Sequence, residues 1–345
     1  MCRENSYLVS IFSFIGNLPF LGAITLSSLL PAFLYSCSPV QDYQELETSS
    51  VILAETATEI KTLDIFTFKD DMFQKLDCYQ RVDNFKAWDG NVVSGSGKRI
   101  ITILANSPFD AEGWFSLTSR PKLKEVTSRL EDERRLAAVM TGELHVNAGL
   151  GMPLGRSVIM KPLASEVVLR SLCCDFSGKP YAGERISDIK VYLTNVNAEY
   201  GMIDDESGPK RIINAGRLNG SDLEGFMEKD LIYQEIRGEI GSTGRNTDIR
   251  LWCYQSCNPD ESPGSPFTRL VIEAKISGKT FYWPININRN GLQDGGVHRN
   301  NRYIYDVKIT RKGSHDPDIP IDIEDISVNL EIEPWEEKEG YRVWY

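Results

Sequence analysis

The stretch Ile326-Ser-Val-Asn-Leu-Glu-Ile-Glu333, near the end of the 345-residue chain, alternates without a break between aliphatic and polar residues. Successive side chains of a β-strand point to opposite faces, so this pattern predicts a strand with one apolar face and one face in water. The apolar face would carry Ile326, Val328, Leu330 and Ile332. Pro334 follows and is expected to end the strand.

Short β-prone stretches recur along the rest of the chain, separated by turn residues. The clearest are 63–68, 99–105, 166–172, 189–196, 249–254, 269–276, 280–285 and 303–310. The stretches 269–276 and 280–285 are joined through Ser277-Gly278-Lys279, which predicts a hairpin. One helix is predicted after Pro121, where Leu123, Val126, Leu130 and Ala137 fall near one face. A second, short helix is predicted from the capping box at Ser221–Glu224. The fold class predicted is therefore all-β, with two antiparallel β-sandwiches in tandem and few short helices.

The chain divides into four predicted segments. Residues 1–36 form an export signal, 37–60 a tether, 61–200 an N-terminal sandwich and 201–345 a C-terminal sandwich. The boundary between the sandwiches is placed in the polar, glycine-rich stretch 197–209. The 309 residues after position 36 are too many for one ordinary core and suit two domains.

The N-terminal segment has the pattern of a lipoprotein signal. Arg3 precedes an almost uncharged run that ends in Leu34-Tyr-Ser-Cys37. A cysteine directly after the cleavage point can carry a diacylglycerol, so lipid attachment is predicted at Cys37. The alternative is an uncleaved membrane anchor, because about 20 apolar residues span a bilayer. Pro19 and Pro31 interrupt the run, and no basic cluster follows it, which favours the lipoprotein signal.

Charge and residue types exclude several functions. The 38 basic and 49 acidic residues give a net charge of −11, and no Lys/Arg cluster offers a site for nucleic acid. The three histidines lack a metal-binding spacing such as HExxH, and the acidic run 316–325 lacks the glycine turn of a calcium loop. No metal site, cofactor or catalytic residue is predicted, and the chain is not expected to be an enzyme.

Two groups of residues leave alternatives open. Cys253 and Cys257 either form one optional bridge or are small buried residues, because too few cysteines follow Cys37 for a disulfide framework. The tryptophans either pack in the core, which is favoured, or stack on sugars at an adhesive surface. They include Trp114, Trp252, Trp283, Trp335 and Trp344.

Several motifs occur along the chain in the same order as in a known protein family. After the lipobox cysteine they are Leu63-Asp-Ile-Phe-Thr-Phe68, the strand ending in Ala105-Asn106, Met140-Thr-Gly142, Val167-Val-Leu-Arg170, Val191-Tyr-Leu-Thr-Asn-Val196 and Asn300-Asn-Arg-Tyr-Ile-Tyr-Asp-Val307. Together with the acidic tail they resemble the Bacteroidetes fimbrillin family, which comprises type V pilins and their anchor and tip relatives. The resemblance covers most of residues 60–345.

The resemblance implies two transthyretin-like β-sandwich domains without catalytic activity. In polymerising subunits of the family, an Arg- or Lys-specific protease removes the first strand, and a C-terminal strand of a neighbouring subunit fills the groove. For this chain it implies a lipid-anchored, surface-exposed subunit of a fimbria at the outer membrane. Its expected partners are other fimbrial subunits and host or bacterial surface ligands.

Residue by residue, the resemblance makes 326–332 the candidate donor strand and Lys61 the candidate processing site. Lys61 is the first basic residue after Cys37 and lies directly before the strand that begins at Leu63. A basic residue so close to the strand departs from the pattern of polymerising subunits. Its position favours an anchor, tip or accessory subunit. The alternative from another class is a surface glycan-binding or hydrolytic lipoprotein unrelated to fimbriae.

Overall fold

The computed structural model describes residues 47–53, 59–87, 91–148, 156–203, 210–289, 295–319, 321 and 326–335. The predicted signal segment and Cys37 lie outside these residues. Within the described ranges, no helix is both long and apolar enough to cross a bilayer.

Strands dominate the described chain, which confirms the all-β prediction. They are β1 Glu47–Leu53, β2 Leu63–Lys69, β3 Leu76–Val82, β4 Asn91–Ser94, β5 Gly97–Ala105, β6 Thr127–Arg129, β7 Met140–Ala148, β8 Arg156–Val158, β9 Lys161–Pro162, β10 Ser165–Cys174, β11 Ser187–Thr194, β12 Val196–Asn197, β13 Glu199–Gly201, β14 Ile212–Ile213, β15 Tyr233–Ile236, β16 Arg245–Cys253, β17 Arg269–Ile276, β18 Lys279–Asn286, β19 Asn301–Ile309 and β20 Ile326–Pro334. The helices are α1 Arg120–Lys124 and α2 Gly220–Leu223, with 3-10 turns at Phe85–Ala87, Glu112–Trp114, Leu130–Asp132 and Lys229–Leu231.

The first sandwich consists of a five-stranded antiparallel sheet, in the order β3-β2-β5-β7-β9, and a three-stranded sheet, β4-β1-β8. Val92 of β4 and Val158 of β8 share one apolar cluster with Ile65 and Ile101 of the larger sheet. The opposite face of the larger sheet is also covered, since Phe66 meets the ring of Trp114 edge-on at 5.0 Å. Strand β5 lies in the middle of this sheet. Its sequence predicts this position, because its residues are apolar on both faces of the strand.

The second sandwich consists of two four-stranded sheets, β16-β10-β19-β20 and β15-β11-β17-β18. Strands β10 and β19 run parallel, whereas the other pairs in these sheets are antiparallel. The predicted hairpin is present between β17 and β18. Its two turn residues, Ser277 and Gly278, both have positive φ (50° and 79°), as a type I′ turn requires.

The strand pairing differs from the predicted segment boundaries at two places. Strands β10 and β11, expected in the first sandwich, pair with strands that begin at residue 233 or later. The ladders thus change partners near Leu163 rather than at 200, because β10 and β11 supply central strands to the second sandwich. Strand β1 also lies inside the segment 37–60 that was expected to be a tether.

Whether the two sandwiches behave as separate domains stays a prediction, because Leu63–Pro334 lies within one compact unit. They are joined by the ladder between β6 and β13. Next to that ladder, the hydroxyl of Tyr254 donates to the carboxylate of Glu133 at 2.9 Å, and both residues are buried.

The long helix predicted after Pro121 is wrong. Helix α1 ends at Lys124, and Thr127–Arg129 forms β6 instead, because it pairs with Glu199–Gly201 about 70 residues later. The short helix near Ser221 is present as α2, but its N-cap is Asn219, whose side chain accepts from the backbone N–H of Ser221.

Candidate functional site at the first and last strands

β1, the first strand of the described residues, has a hydrogen-bonded neighbour on each side. Residues 47–50 pair antiparallel with β4, and residues 51–53 pair parallel with β8 on the other edge. We call the position between β4 and β8 the β1 slot. An extended chain placed there satisfies backbone donors and acceptors of two neighbouring strands at once.

The floor of the β1 slot is apolar. The flanking residues Val92 and Val158 are fully buried, and they belong to a cluster contributed mainly by β2, β5 and β7. Its members are Ile60, Leu63, Ile65, Val82, Val92, Ile101, Ile103, Ala105, Met140, Val146, Val158 and Met160. An empty slot would therefore expose both unpaired backbone groups and apolar surface, which favours occupation by a strand.

Lys61 lies in the link between β1 and β2, and its side chain is exposed. The neighbouring Ile60 is only 8% exposed and packs into the cluster below the slot. The sequence pattern predicts the opening strand at Leu63, but in the structure β1, Glu47–Leu53, precedes Lys61. A cut after Lys61 would therefore separate β1 from the rest of the sandwich.

β20, the last strand of the described residues, pairs antiparallel with β19 over its whole length, from Ile326 opposite Ile309 to Pro334 opposite Asn301. Among the described residues it is one of the two edge strands of its sheet, the other being β16. The four predicted apolar residues lie on it as expected, but their burial falls along the strand. Ile326 is 8% exposed, Val328 and Leu330 are half-buried against the core, and Ile332 is 44% exposed.

Charged side chains connect the polar face of β20 to its sheet. Arg302 of β19 contacts both Glu166 of β10 and Glu333, the latter at 3.0 Å. Arg170 pairs with Asp306 and with Glu331, the latter at 2.9 Å. The hydrogen bonds from Arg170 are the main cause that lowers the pKa of Asp306 to about 2. These pairs keep the wet face of β20 oriented away from the core.

The described tryptophans are mostly core residues, as favoured from the sequence. Trp114, Trp252 and Trp283 are each at most 4% exposed. Trp335, directly after β20, is half-buried and meets Trp252 edge-on at 4.7 Å. Cys253 is buried and Cys257 exposed, and both are free thiols. Among the described residues, no group of three or more metal-ligating side chains converges.

No family model matches this chain, and no curated protein matches it either. Solved structures do. A candidate cell adhesion protein from Bacteroides eggerthii is 16% identical with a TM-score of 0.64, over 86% of this chain and 98% of its own. A fimbrilin (FimA) from Porphyromonas gingivalis is 14% identical with a TM-score of 0.58, over 84% of this chain and 97% of its own.

A third similar structure is the tip fimbrial protein Mfa3 from Porphyromonas gingivalis, with 13% identity and a TM-score of 0.53. The match covers 84% of this chain and all of that one. At such low identities a structural match establishes the fold. The resemblance to the fimbrillin family is therefore confirmed at the level of the fold: this chain has the β-sandwich architecture of Bacteroidetes fimbrial and cell-adhesion proteins.

Proposed function

We propose that this chain is a structural or adhesive subunit of a cell-surface fimbria that assembles by β-strand addition. The observation that carries the proposal is β1, an N-terminal strand held between β4 and β8 and followed by an exposed lysine. Structures with this fold include a fimbrilin and a tip fimbrial protein. The role is structural and needs neither a cofactor nor catalytic residues.

In this proposal, cleavage after Lys61 releases β1, and a strand from a neighbouring subunit takes the β1 slot. The chain in turn donates β20, using Ile326, Val328, Leu330 and Ile332. The position of β20 along β19 is then its storage site before assembly. Since β1 precedes Lys61, the anchor or tip role no longer follows from the position of Lys61, and a stalk role is equally compatible.

Binding of a donor peptide tests the assembly proposal. The chain is cut after Lys61 and mixed with a synthetic peptide of residues 323–335. We expect the peptide to bind the cut chain and not the intact one. A Leu330→Asp peptide should fail, because it carries a charge into the apolar slot, whereas a Glu331→Lys peptide should still bind. Equal binding of all peptides, or of none, would contradict strand addition.

Attachment is the second part of the proposal. We propose that Cys37 carries the lipid that holds the subunit in the outer membrane, with its sandwiches at the cell surface. Changing Cys37→Ala should abolish acyl labelling and release the protein from the membrane fraction. Retention of the wild-type protein in membranes without any acyl label would contradict lipid attachment and support an uncleaved anchor.

The partners proposed are other fimbrial subunits, together with host or bacterial surface ligands. A glycan-binding or hydrolytic role gains no specific support from the described residues. The aromatic rings most suited to sugar stacking, Trp114, Trp252 and Trp283, are buried in the core.

A further inference from the structure

Asn106 connects the end of β5 to the link that precedes β2. It follows Ala105 directly and has a left-handed backbone with φ of 56°. Its side-chain oxygen accepts from the backbone N–H of Lys61 at 2.9 Å. Its side-chain amide donates to the backbone carbonyls of Glu59 at 2.9 Å and Ala138 at 3.0 Å. Its own backbone N–H donates to the carbonyl of Thr62 at 3.0 Å.

These bonds fix the orientation of the amide, because the two carbonyls can only accept and the Lys61 N–H can only donate. They bracket the buried side chain of Ile60 and hold Glu59, Lys61 and Thr62 from one residue. Two other backbone bonds act on the same segment, from Glu59 N–H to Leu136 and, at 3.4 Å, from Phe85 N–H to Lys61. The exposed lysine side chain therefore sits on a pinned backbone.

A protease binds the residues around the scissile bond as an extended segment and pairs with their backbone groups. Around the Lys61–Thr62 bond, the N–H of Lys61 and the carbonyls of Lys61 and Thr62 are already hydrogen-bonded. Cleavage therefore requires the segment to leave its site first. We infer that the Asn106 side chain is a latch that controls proteolytic access to the Lys61–Thr62 bond, and this inference rests on the proposed function. Releasing the latch exposes the bond, and the cut then frees β1.

Asparagine suits this position for two reasons. It tolerates the left-handed backbone better than most residues, and it offers one acceptor and two donor hydrogens on a short side chain. Asn106→Gly keeps the backbone conformation accessible and removes all three side-chain bonds. Asn106→Asp keeps the acceptor for Lys61 but loses both donors, so its effect should be intermediate.

Limited trypsin digestion of the full chain tests the latch. A cut after Lys61 gives a product that begins at Thr62. No other trypsin site lies between Arg3 and Lys61, because the sequence has no Lys or Arg there. Mass spectrometry measures its rate of appearance. Loss of three hydrogen bonds should raise that rate by roughly tenfold or more in Asn106→Gly.

The matched control is Asn300→Gly. Asn300 also has a left-handed backbone, with φ of 60°, but its side-chain oxygen accepts no hydrogen bond from the described residues. This variant should be cut at Lys61 at the wild-type rate. An Asn106→Gly rate equal to wild type would overturn the latch. So would an equal rise at Lys98 within β5, since that would signal general unfolding.

Strand addition is tested separately from the latch, by peptide binding to the cleaved product. The product that begins at Thr62 is purified and mixed with the peptide of residues 323–335. If Asn106→Gly is cut faster but the product binds no peptide, the latch stands and strand addition is wrong. If the product binds the peptide but Asn106→Gly is cut no faster than wild type, strand addition stands and the latch is wrong.

Discussion

Strands β1 and β20 are the first and last strands of the described chain, and their sheets hold them in opposite ways. β1 lies between two strands, whereas β20 is an edge strand paired only with β19 among the described residues. Removing β1 would leave unpaired groups on β4 and β8, but removing β20 would leave them on β19 alone. An interior strand is therefore hard to exchange while it stays attached to the chain. An edge strand can detach with the chain intact.

The two ends of β20 also differ in burial. Its first apolar residue is buried, and its last, Ile332, is 44% exposed. Within β20 itself, the C-terminal half thus loses less apolar contact on detachment than the N-terminal half. Directly after the strand, however, Trp335 packs against Trp252 and donates its backbone N–H to the carbonyl of Asn300, so this contact must open first. Detachment of β20 from its C-terminal end, once Trp335 has left Trp252, fits this distribution.

The largest expected effect tests this difference in burial with the same substitution at both ends of β20. Ile326→Asp places a charge in the apolar core and should lower the free energy of unfolding by about 4 kcal/mol or more. Ile332→Asp, at the exposed end, should change it by less than about 1 kcal/mol. Urea denaturation followed by tryptophan fluorescence measures both. Similar losses at the two positions would mean that β20 is held evenly and does not peel.

The sequence predicted β20 and the β17–β18 hairpin well, because both depend on local patterns. Alternation defines the faces of β20, and a two-residue turn with Gly278 joins β17 to β18. It did not predict β1, whose first half, Glu47-Thr-Ser-Ser50, is polar and lacks a strand pattern. That strand exists through partners 41 to 105 residues away.

Local sequence patterns also do not predict which strands pair with each other. β10 was predicted as a strand, but nothing in its own residues indicates a parallel partner at 302–309. The role of Asn106 was hidden for the same reason. The sequence shows an asparagine at the end of a strand, whereas its three bonds depend on chain segments 32 to 47 residues away.

The next prediction concerns Glu133, which lies next to the β6–β13 ladder that joins the two sandwiches. Burial is the main cause that raises the pKa of Glu133 to about 7, above its ordinary value of 4.5. The folded protein thus holds this proton more tightly than the unfolded chain. The stability gained from it is complete below about pH 4.5 and is lost as the pH rises through about 7, a change of about 3 kcal/mol.

Glu133→Gln should remove this part of the pH dependence, because its amide stays neutral and can still bond Val139 and Tyr254. Urea unfolding between pH 4 and 8 measures it for both proteins. Glu125→Gln, on an exposed carboxylate, is the control and should keep the wild-type profile. A Glu133→Gln profile as steep as that of wild type would contradict the assignment.

A third prediction tests the wall of the β1 slot. A Cβ on Gly142 of β7 would lie 2.5 Å from Val158 and 2.7 Å from the backbone oxygen of Ile159. Gly142→Ala should therefore displace β8 and cost about 2 kcal/mol. Hydrogen exchange should become faster in β8 and β1 and stay unchanged in β20. Gly264→Ala, where a Cβ meets nothing within 4 Å, should leave stability and exchange unchanged. Faster exchange in β20 after Gly142→Ala would mean that the two strands do not respond separately.

The smallest expected effect concerns the ion pair between Arg302 and Glu333 at the exposed end of β20. Glu333→Gln removes one charge from a partly exposed pair and should cost less than about 1 kcal/mol, and still less in high salt. Arg302 keeps its buried partner Glu166, so no isolated charge is created. Although global stability hardly changes, hydrogen exchange at residues 331–333 should become faster, because this end of β20 has lost its ion pair with Arg302. The buried end at Ile326 should exchange at the wild-type rate. If both ends accelerate together, β20 opens as one unit, and detachment from its C-terminal end is excluded.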